Sequence, residues 1–209
     1  MFFIDKPDAA QSEIRIFKPS LNYDALGEYY RVDLMNYALG EAFNSRINLN
    51  LREDKGYTYG ARGYFVGQKH YGYYVARSAV RSNVTLESLQ ELLKEIAQYH
   101  SVGPSEAEWQ FTQNSIGQRD ARAFETPSQK LGFLDRIYRY QLNPDFINQQ
   151  QHILANMTLE EASKLAKKHL EPSSMSILIV GDKHRVLPTL RLLGNQYQII
   201  ELDSEGNRL

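Results

Sequence analysis

The sequence predicts an α+β fold, with helices packed on one face of a mostly antiparallel sheet. Three observations carry that prediction. Segments with strand patterning come first and last, and runs with helical spacing crowd the middle. Between them, two tyrosine-rich extended segments meet at Gly67-Gln68-Lys69-His70, as in an antiparallel hairpin. The 209 residues are 42% hydrophobic and 23% charged, enough apolar material for one large core. A single domain over residues 1–209 is therefore the expected organisation.

The elements follow in order. Residues 2–5 read as a strand, Lys6-Pro7-Asp8 as a turn, and residues 11–17 as a second strand alternating Ile14 and Ile16 against Glu13 and Arg15. Asp24 is placed to cap a helix carrying Leu26, Tyr29, Tyr30, Leu34, Tyr37 and Ala38, with Gly40 as its stop. A short second helix runs through Leu51, and a strand is entered through Gly56. The period of two sets Tyr57, Tyr59, Ala61, Gly63 and Phe65 on one face of that strand. Tyr71, Tyr73 and Val75 lead its hairpin partner.

Thr85 then caps an amphipathic helix with Leu86, Leu89, Leu93 and Ile96. Gly103-Pro104 opens another, with Trp109 and Phe111, running to about Phe124. Thr126-Pro127 opens a third with Leu131, Leu134, Ile137 and Tyr138, and residues 146–154 form a fourth. Thr158 and Glu161 make a capping box ahead of Leu165 and Ala166, and Pro172 ends that helix. The continuous apolar run 176–180 reads as a strand buried on both faces. Gly181-Asp182 turns it into a helix with Val186, Leu187, Leu190 and Leu193, stopped by Gly194, and residues 197–202 are the last strand.

Composition excludes several functions. The net charge of -1 and the lack of a local Lys/Arg cluster argue against nucleic acid as a partner. The apolar runs are too short for a transmembrane segment. Without cysteine there is no disulfide, thiolate metal site or cysteine nucleophile. Asp5 and Lys6 interrupt the apolar start, so it does not read as a signal peptide, and the chain reads as a piece of something longer. None of His70, His100, His152, His169 and His184 stands in an H-E-x-x-H or H-x-x-E-H pattern. His169 is expected as a charge partner at a helix C-terminus, and the other histidines as loop or surface residues. Neither a G-x-S-x-G elbow nor a phosphate-binding glycine run is present. By its own residues the chain has no complete active site, and no cofactor or metal is expected in it.

One constellation remains. Arg52 at the end of a helix and Tyr59 on the following strand lie seven positions apart, with Gly56 between them. A guanidinium and a phenol aimed at one spot suit a carbonyl oxygen or a peptide backbone. The plainer alternative pairs Arg52 with a neighbouring carboxylate and packs Tyr59 into the sheet.

These residues sit in a longer pattern. Leu39-Gly40, Phe43, Ser45-Arg46, Leu51-Arg52-Glu53, Lys55-Gly56 and Tyr59 resemble the C-terminal half-domain of the pitrilysin/insulinase-like zinc metallopeptidases, the group that includes mitochondrial processing peptidase. Asp5-Lys6-Pro7 at the entry, and Val180-Gly181-Asp182 at the exit, extend the resemblance over nearly the whole chain. It implies two homologous α+β halves closing like a clamshell. The N-terminal half would carry H-x-x-E-H and the zinc, and this half would supply Arg52 and Tyr59. Arg52 would hold a substrate carbonyl or carboxylate, and Tyr59 would donate a hydrogen bond to the oxyanion, worth on the order of 3 kcal/mol. The implied partners are the zinc-binding half-domain and an extended peptide docked by main-chain bonds to a sheet edge. The resemblance also suggests an exported or periplasmic parent, without fixing the compartment. Two departures stand: the zinc motif is absent, and Glu41 occupies the position of a second glycine. The alternatives are a non-catalytic partner or scaffold that binds peptides or another half-domain, and a globular domain with another activity. The first reading requires Arg52 and Tyr59 to emerge on one exposed surface, beside an accessible strand edge.

Overall fold

The computed structural model describes residues 1–121 and 125–209, and burial outside 119–124. Its strands are β1 (Phe2–Asp5), β2 (Gln11–Pro19), β3 (Thr58–Gly67), β4 (Gly72–Arg81), β5 (Ser176–Gly181) and β6 (Ile200–Leu202). They form one sheet in the order β3-β4-β2-β5-β1-β6. The β3–β4, β4–β2 and β2–β5 pairs are antiparallel, and β5–β1 and β1–β6 are parallel. The helices are α1 (Glu28–Asn36), α2 (Arg46–Asn48), α3 (Thr85–Val102), α4 (Glu106–Ala121), α5 (Pro127–Tyr140), α6 (Phe146–Asn156), α7 (Leu159–His169) and α8 (Lys183–Leu190). This is the expected α+β class; the anticipated end of α4 near Phe124 lies outside the described residues.

Alternation explains where the core sits. Ile14, Ile16, Tyr74, Ala76, Ile177 and Ile179 point to one face and are buried against Leu34, Leu39, Leu51, Leu89 and Ile96 of the helical layer. Leu178 and Val180, on the other face of β5, are only half-buried. The run 176–180 is thus not buried on both sides as expected, because the helices cover one face only.

Several element ends differ from the sequence reading. Asp24 does not cap α1. Its Oδ1 accepts from the Leu26 and Gly27 amides at 3.0 and 2.9 Å, making a turn upstream, and α1 starts at Glu28. Gly103, with φ of 74°, ends α3 rather than opening α4, whose entry is built by Ser105 and Glu108 bonding each other's backbone and side chain. Thr85 lies inside α3, where its hydroxyl donates to Ser82 O and is hydrogen-bonded to the Ser12 hydroxyl. Thr158 accepts from the Glu161 amide at 3.1 Å, but Glu161 is drawn to Arg31, so only half of the capping box forms. Thr126 and Gln129 do form a complete box on α5. Helix α8 ends at Leu190, tightening into a 3₁₀ segment over Arg191–Gln196, and the last strand starts at Ile200 rather than 197. Helix α5 turns Leu131, Leu134 and Tyr138 outward, and nothing on it is buried.

His169 corrects another expectation. It is buried, and its Nε2 hydrogen-bonds Glu28 Oε1 at 2.6 Å across the α7–α1 contact. Burial pushes its pKa below the ordinary 6.5 and outweighs the pull of Glu28. It is therefore a neutral buried partner at neutral pH, not a charge on the helix end. As pH falls below about 6.5 the unfolded chain binds the proton first, so stability is lost on acidification. Glu28, held low first by its Lys168 hydrogen bond, acts in the same direction at lower pH. The unfolding midpoint is expected to begin falling as pH drops below about 6.5, and His169→Gln to remove that first part of the fall. An equally steep profile in the variant would contradict this assignment.

Candidate functional site

The chain between α1 and β3 is wound unusually. Tyr37–Glu41 and Leu49–Asp54 are π-helical turns, closed by Ala42 N–H to Tyr37 O and Lys55 N–H to Asn50 O, both at 3.0 Å. Single π-turns inside helical segments recur at functional sites. Gly40 is part of the first turn, not a stop after the helix. A Cβ there would lie 2.4 Å from Gly63 O and 2.5 Å from Gly63 N, so its role is to let this turn touch β3.

The second turn carries Arg52. Leu51 and Ile47 are fully buried, and Asn50 Nδ2 donates to Glu91 at 2.9 Å and Glu95 at 2.7 Å on α3. Arg46 forms a bidentate pair with Glu108 of α4 and lies 5.0 Å over the Tyr99 ring. With one side of the segment held this way, Arg52 stands on the other. It is 34% exposed, 3.5 Å from Glu53 and 4.6 Å over the exposed Phe43 ring. The Tyr57 amide donates back to Leu51 O at 2.9 Å, and Gly56 at φ 63° makes the reversal that leads into β3.

Tyr59 is 92% exposed, whereas Ala61, Gly63 and Phe65 are buried. Strict alternation would put all four on one face, as the sequence reading did. The exception is a β-bulge: Thr58 pairs with Val80 and Ala61 with Ser78, so three steps on β3 answer two on β4. Side chains hold it. Thr58 Oγ1 donates to Ala79 O at 2.6 Å and accepts from Gly60 N–H, Ser78 Oγ donates to Gly60 O, and Asn48 Oδ1 accepts from Ala61 N–H at 2.9 Å. The extra residue re-aims Tyr59 out of the core.

Tyr59 lines a cleft of about 680 Å³ with Tyr57, Thr58, Gly56, Lys6, Ala9, Ala10, Gln11 and Arg81. Lys6 and Arg81 are site residues that sequence reasoning missed, since only the pairing of Gln11 with Arg81 brings them beside Tyr59. Arg52 does not line the cleft, and among the described residues no hydrogen bond or ring contact joins it to Tyr59. The plainer alternative is met in one half only: Arg52 does pair with the neighbouring carboxylate of Glu53, but Tyr59 does not pack into the sheet, and both side chains reach solvent.

The expected strand edge is not free. Although β3 borders the sheet, Ala61 N–H is taken by Asn48, Gly63 O by Asn36 Nδ2 at 2.8 Å, and Phe65 O and Gly67 N–H by the Tyr29 hydroxyl. The opposite border is covered too: Leu209 N–H donates to Glu201 O, and Leu202 bridges Arg208. Main-chain docking of a peptide along residues 61–67 is therefore obstructed by the helical layer. Among the described residues, no cluster of His, Asp or Glu could hold a metal ion, and no helix is long and apolar enough to cross a membrane.

The sequence profile of the peptidase M16 inactive domain matches residues 2–116. No curated protein matches the chain. Among solved structures, a peptidase M16 inactive domain from Pseudomonas fluorescens superposes with a TM-score of 0.78 at 22% identity, covering 86% of this chain and 42% of that one. An inactive peptidase domain from Bordetella parapertussis gives 0.66 at 14% identity, covering 82% and 93%. The periplasmic protease PqqL from Escherichia coli gives 0.68 at 16%, covering 87% and 20%. The chain thus spans less than half of the Pseudomonas protein and a fifth of PqqL.

Proposed function

Because this chain belongs to the peptidase M16 family, as a copy of its inactive domain, we propose that it positions peptide substrate for a zinc half carried outside residues 1–209. The observation that carries the proposal is the bulge. It spends a defined set of side-chain hydrogen bonds on holding Tyr59 out in solvent at the mouth of a cleft, where a packing tyrosine gains nothing.

In this reading Tyr59 donates its phenolic O–H to the scissile carbonyl oxygen as negative charge develops there. Arg52, held by Phe43 and within reach of solvent, takes the neighbouring carbonyl or a carboxylate. Zinc, held by an H-x-x-E-H half-domain, would supply the activated water and the Lewis acid. This chain supplies none of the ligands. Its residues bind and orient an extended peptide, and the blocked border of β3 makes them do so through side chains.

The test uses the assembled peptidase with both halves present. Tyr59→Phe and Arg52→Ala are each expected to lower kcat by about 10²-fold, with the unfolding midpoint changed little, because Tyr59 is exposed and the contacts of Arg52 with Glu53 and Phe43 lie at the surface. Intact cleavage by the double variant would leave the chain a scaffold and sink the proposal.

A further inference from the structure

Three arginines far apart in sequence stand side by side in the sheet. Register places Arg15 of β2 opposite Arg77 of β4, and Arg77 opposite Arg62 of β3. All three are exposed on the face that no helix covers. Directly opposed side chains have their Cβ atoms about 5 Å apart, and like charges so placed repel. The local compensation is partial. Glu13 pairs with Arg15 at 3.3 Å, and Arg77 lies 5.6 Å over the Tyr64 ring. Among the described residues Arg62 has no carboxylate partner.

The same face continues to the cleft. Arg77, Ala79 and Arg81 alternate outward along β4, and Lys6 and Arg81 are the charged residues of the cleft lining. Neither makes an ion pair among the described residues. In a chain of net charge -1, this surface therefore gathers, among the described residues, the five cations Lys6, Arg15, Arg62, Arg77 and Arg81, with Glu13 paired to Arg15. The Arg77 row lies roughly 10–13 Å from the Tyr59 end, the reach of three or four residues of extended peptide. Beyond the arginines, half-buried Phe17, Leu178 and Val180 offer apolar contact. That mixture suits a peptide better than a phosphate backbone, which takes a continuous basic surface.

We propose that the open face of the sheet is a docking track for acidic side chains of an extended peptide, three or four residues from the bond held at Tyr59. The proposal rests on the reading of Tyr59 as a substrate contact and adds a substrate class to it. An anionic segment would relieve the repulsion among Arg15, Arg77 and Arg62, which no carboxylate among the described residues fully does.

Binding of two fluorescent peptides to the full chain tests this. Both are N-acetylated and C-amidated, one with Glu at the third and fourth residues from the central bond and the other with Gln there. The Glu peptide is expected to bind at least about 10-fold tighter at low salt, and the preference to vanish in Arg62→Gln/Arg77→Gln. That variant removes like-charged neighbours from exposed positions, so its unfolding midpoint should equal or exceed that of the parent. Equal affinity for the two peptides, binding of neither, or tighter binding of a single-stranded oligonucleotide would each overturn the proposal. Tyr59→Phe should leave the Glu/Gln ratio intact. Loss of the preference with cleavage still sensitive to Arg52 and Tyr59 defeats the track alone; a preference with cleavage insensitive to them defeats the peptidase reading alone.

Discussion

Asn48→Ala will cost about 3 kcal/mol of folding stability and release the bulge that turns Tyr59 outward. Asn48 is 5% exposed and makes two bonds: Oδ1 accepts from Ala61 N–H at 2.9 Å, and Nδ2 donates to Phe43 O at 2.7 Å. Truncation strands the buried Ala61 N–H at about 1–3 kcal/mol, leaves the part-buried Phe43 O to water, and opens a small void besides. The two groups it releases are one at the bulge and one on Phe43, whose ring carries Arg52. Chemical denaturation gives the loss directly, and hydrogen exchange at the Ala61 amide should accelerate. An unchanged midpoint with slow exchange at Ala61 would show that the bulge does not depend on this side chain.

Gly40→Val should do still more damage, more than about 3 kcal/mol from overpacking before the poor helix propensity of valine is added. The atoms its Cβ would meet are backbone atoms of Gly63, and that strand cannot retreat, since Asn36 holds Gly63 O. A flexible side chain could rotate away; a carbonyl in a sheet cannot. Gly117 is the matching control. It is an exposed position in α4 where an added Cβ would meet nothing within 4 Å, so Gly117→Ala should stabilise by up to about 1 kcal/mol. If the two substitutions shift the thermal midpoint alike, close approach is not what requires glycine at position 40.

The legible parts of this fold were those with a local signal. Thr126-Pro127 announces α5 because an oxygen acceptor and a preset φ act within one turn, and Ile14 and Ile16 announce a strand because alternation is a property of neighbours. Arg52 and Tyr59 were visible as a spacing around Gly56. What made Tyr59 exposed was not, because a bulge is decided by how two strands count against each other, and Tyr59 has the same parity as buried Ala61. Gly40 read as a punctuation mark for the same reason: its partner, Gly63, is remote in sequence and adjacent only after folding. The basic face escaped notice because no two of Arg15, Arg62 and Arg77 fall in one window; register assembles them. The blocked border of β3 follows likewise from Asn36, Asn48 and Tyr29, polar residues of helical segments whose partners no periodicity names.

That border has a consequence for self-association. Exposed strand edges are where folded chains fuse into swapped dimers and fibrils, and surface lysines or prolines commonly guard them. Here the guard on β3 is a set of buried or half-buried side chains rooted in α1 and α2. Edge-to-edge growth from β3 must first lift those helices, so resistance to it rises and falls with the stability of the helical layer.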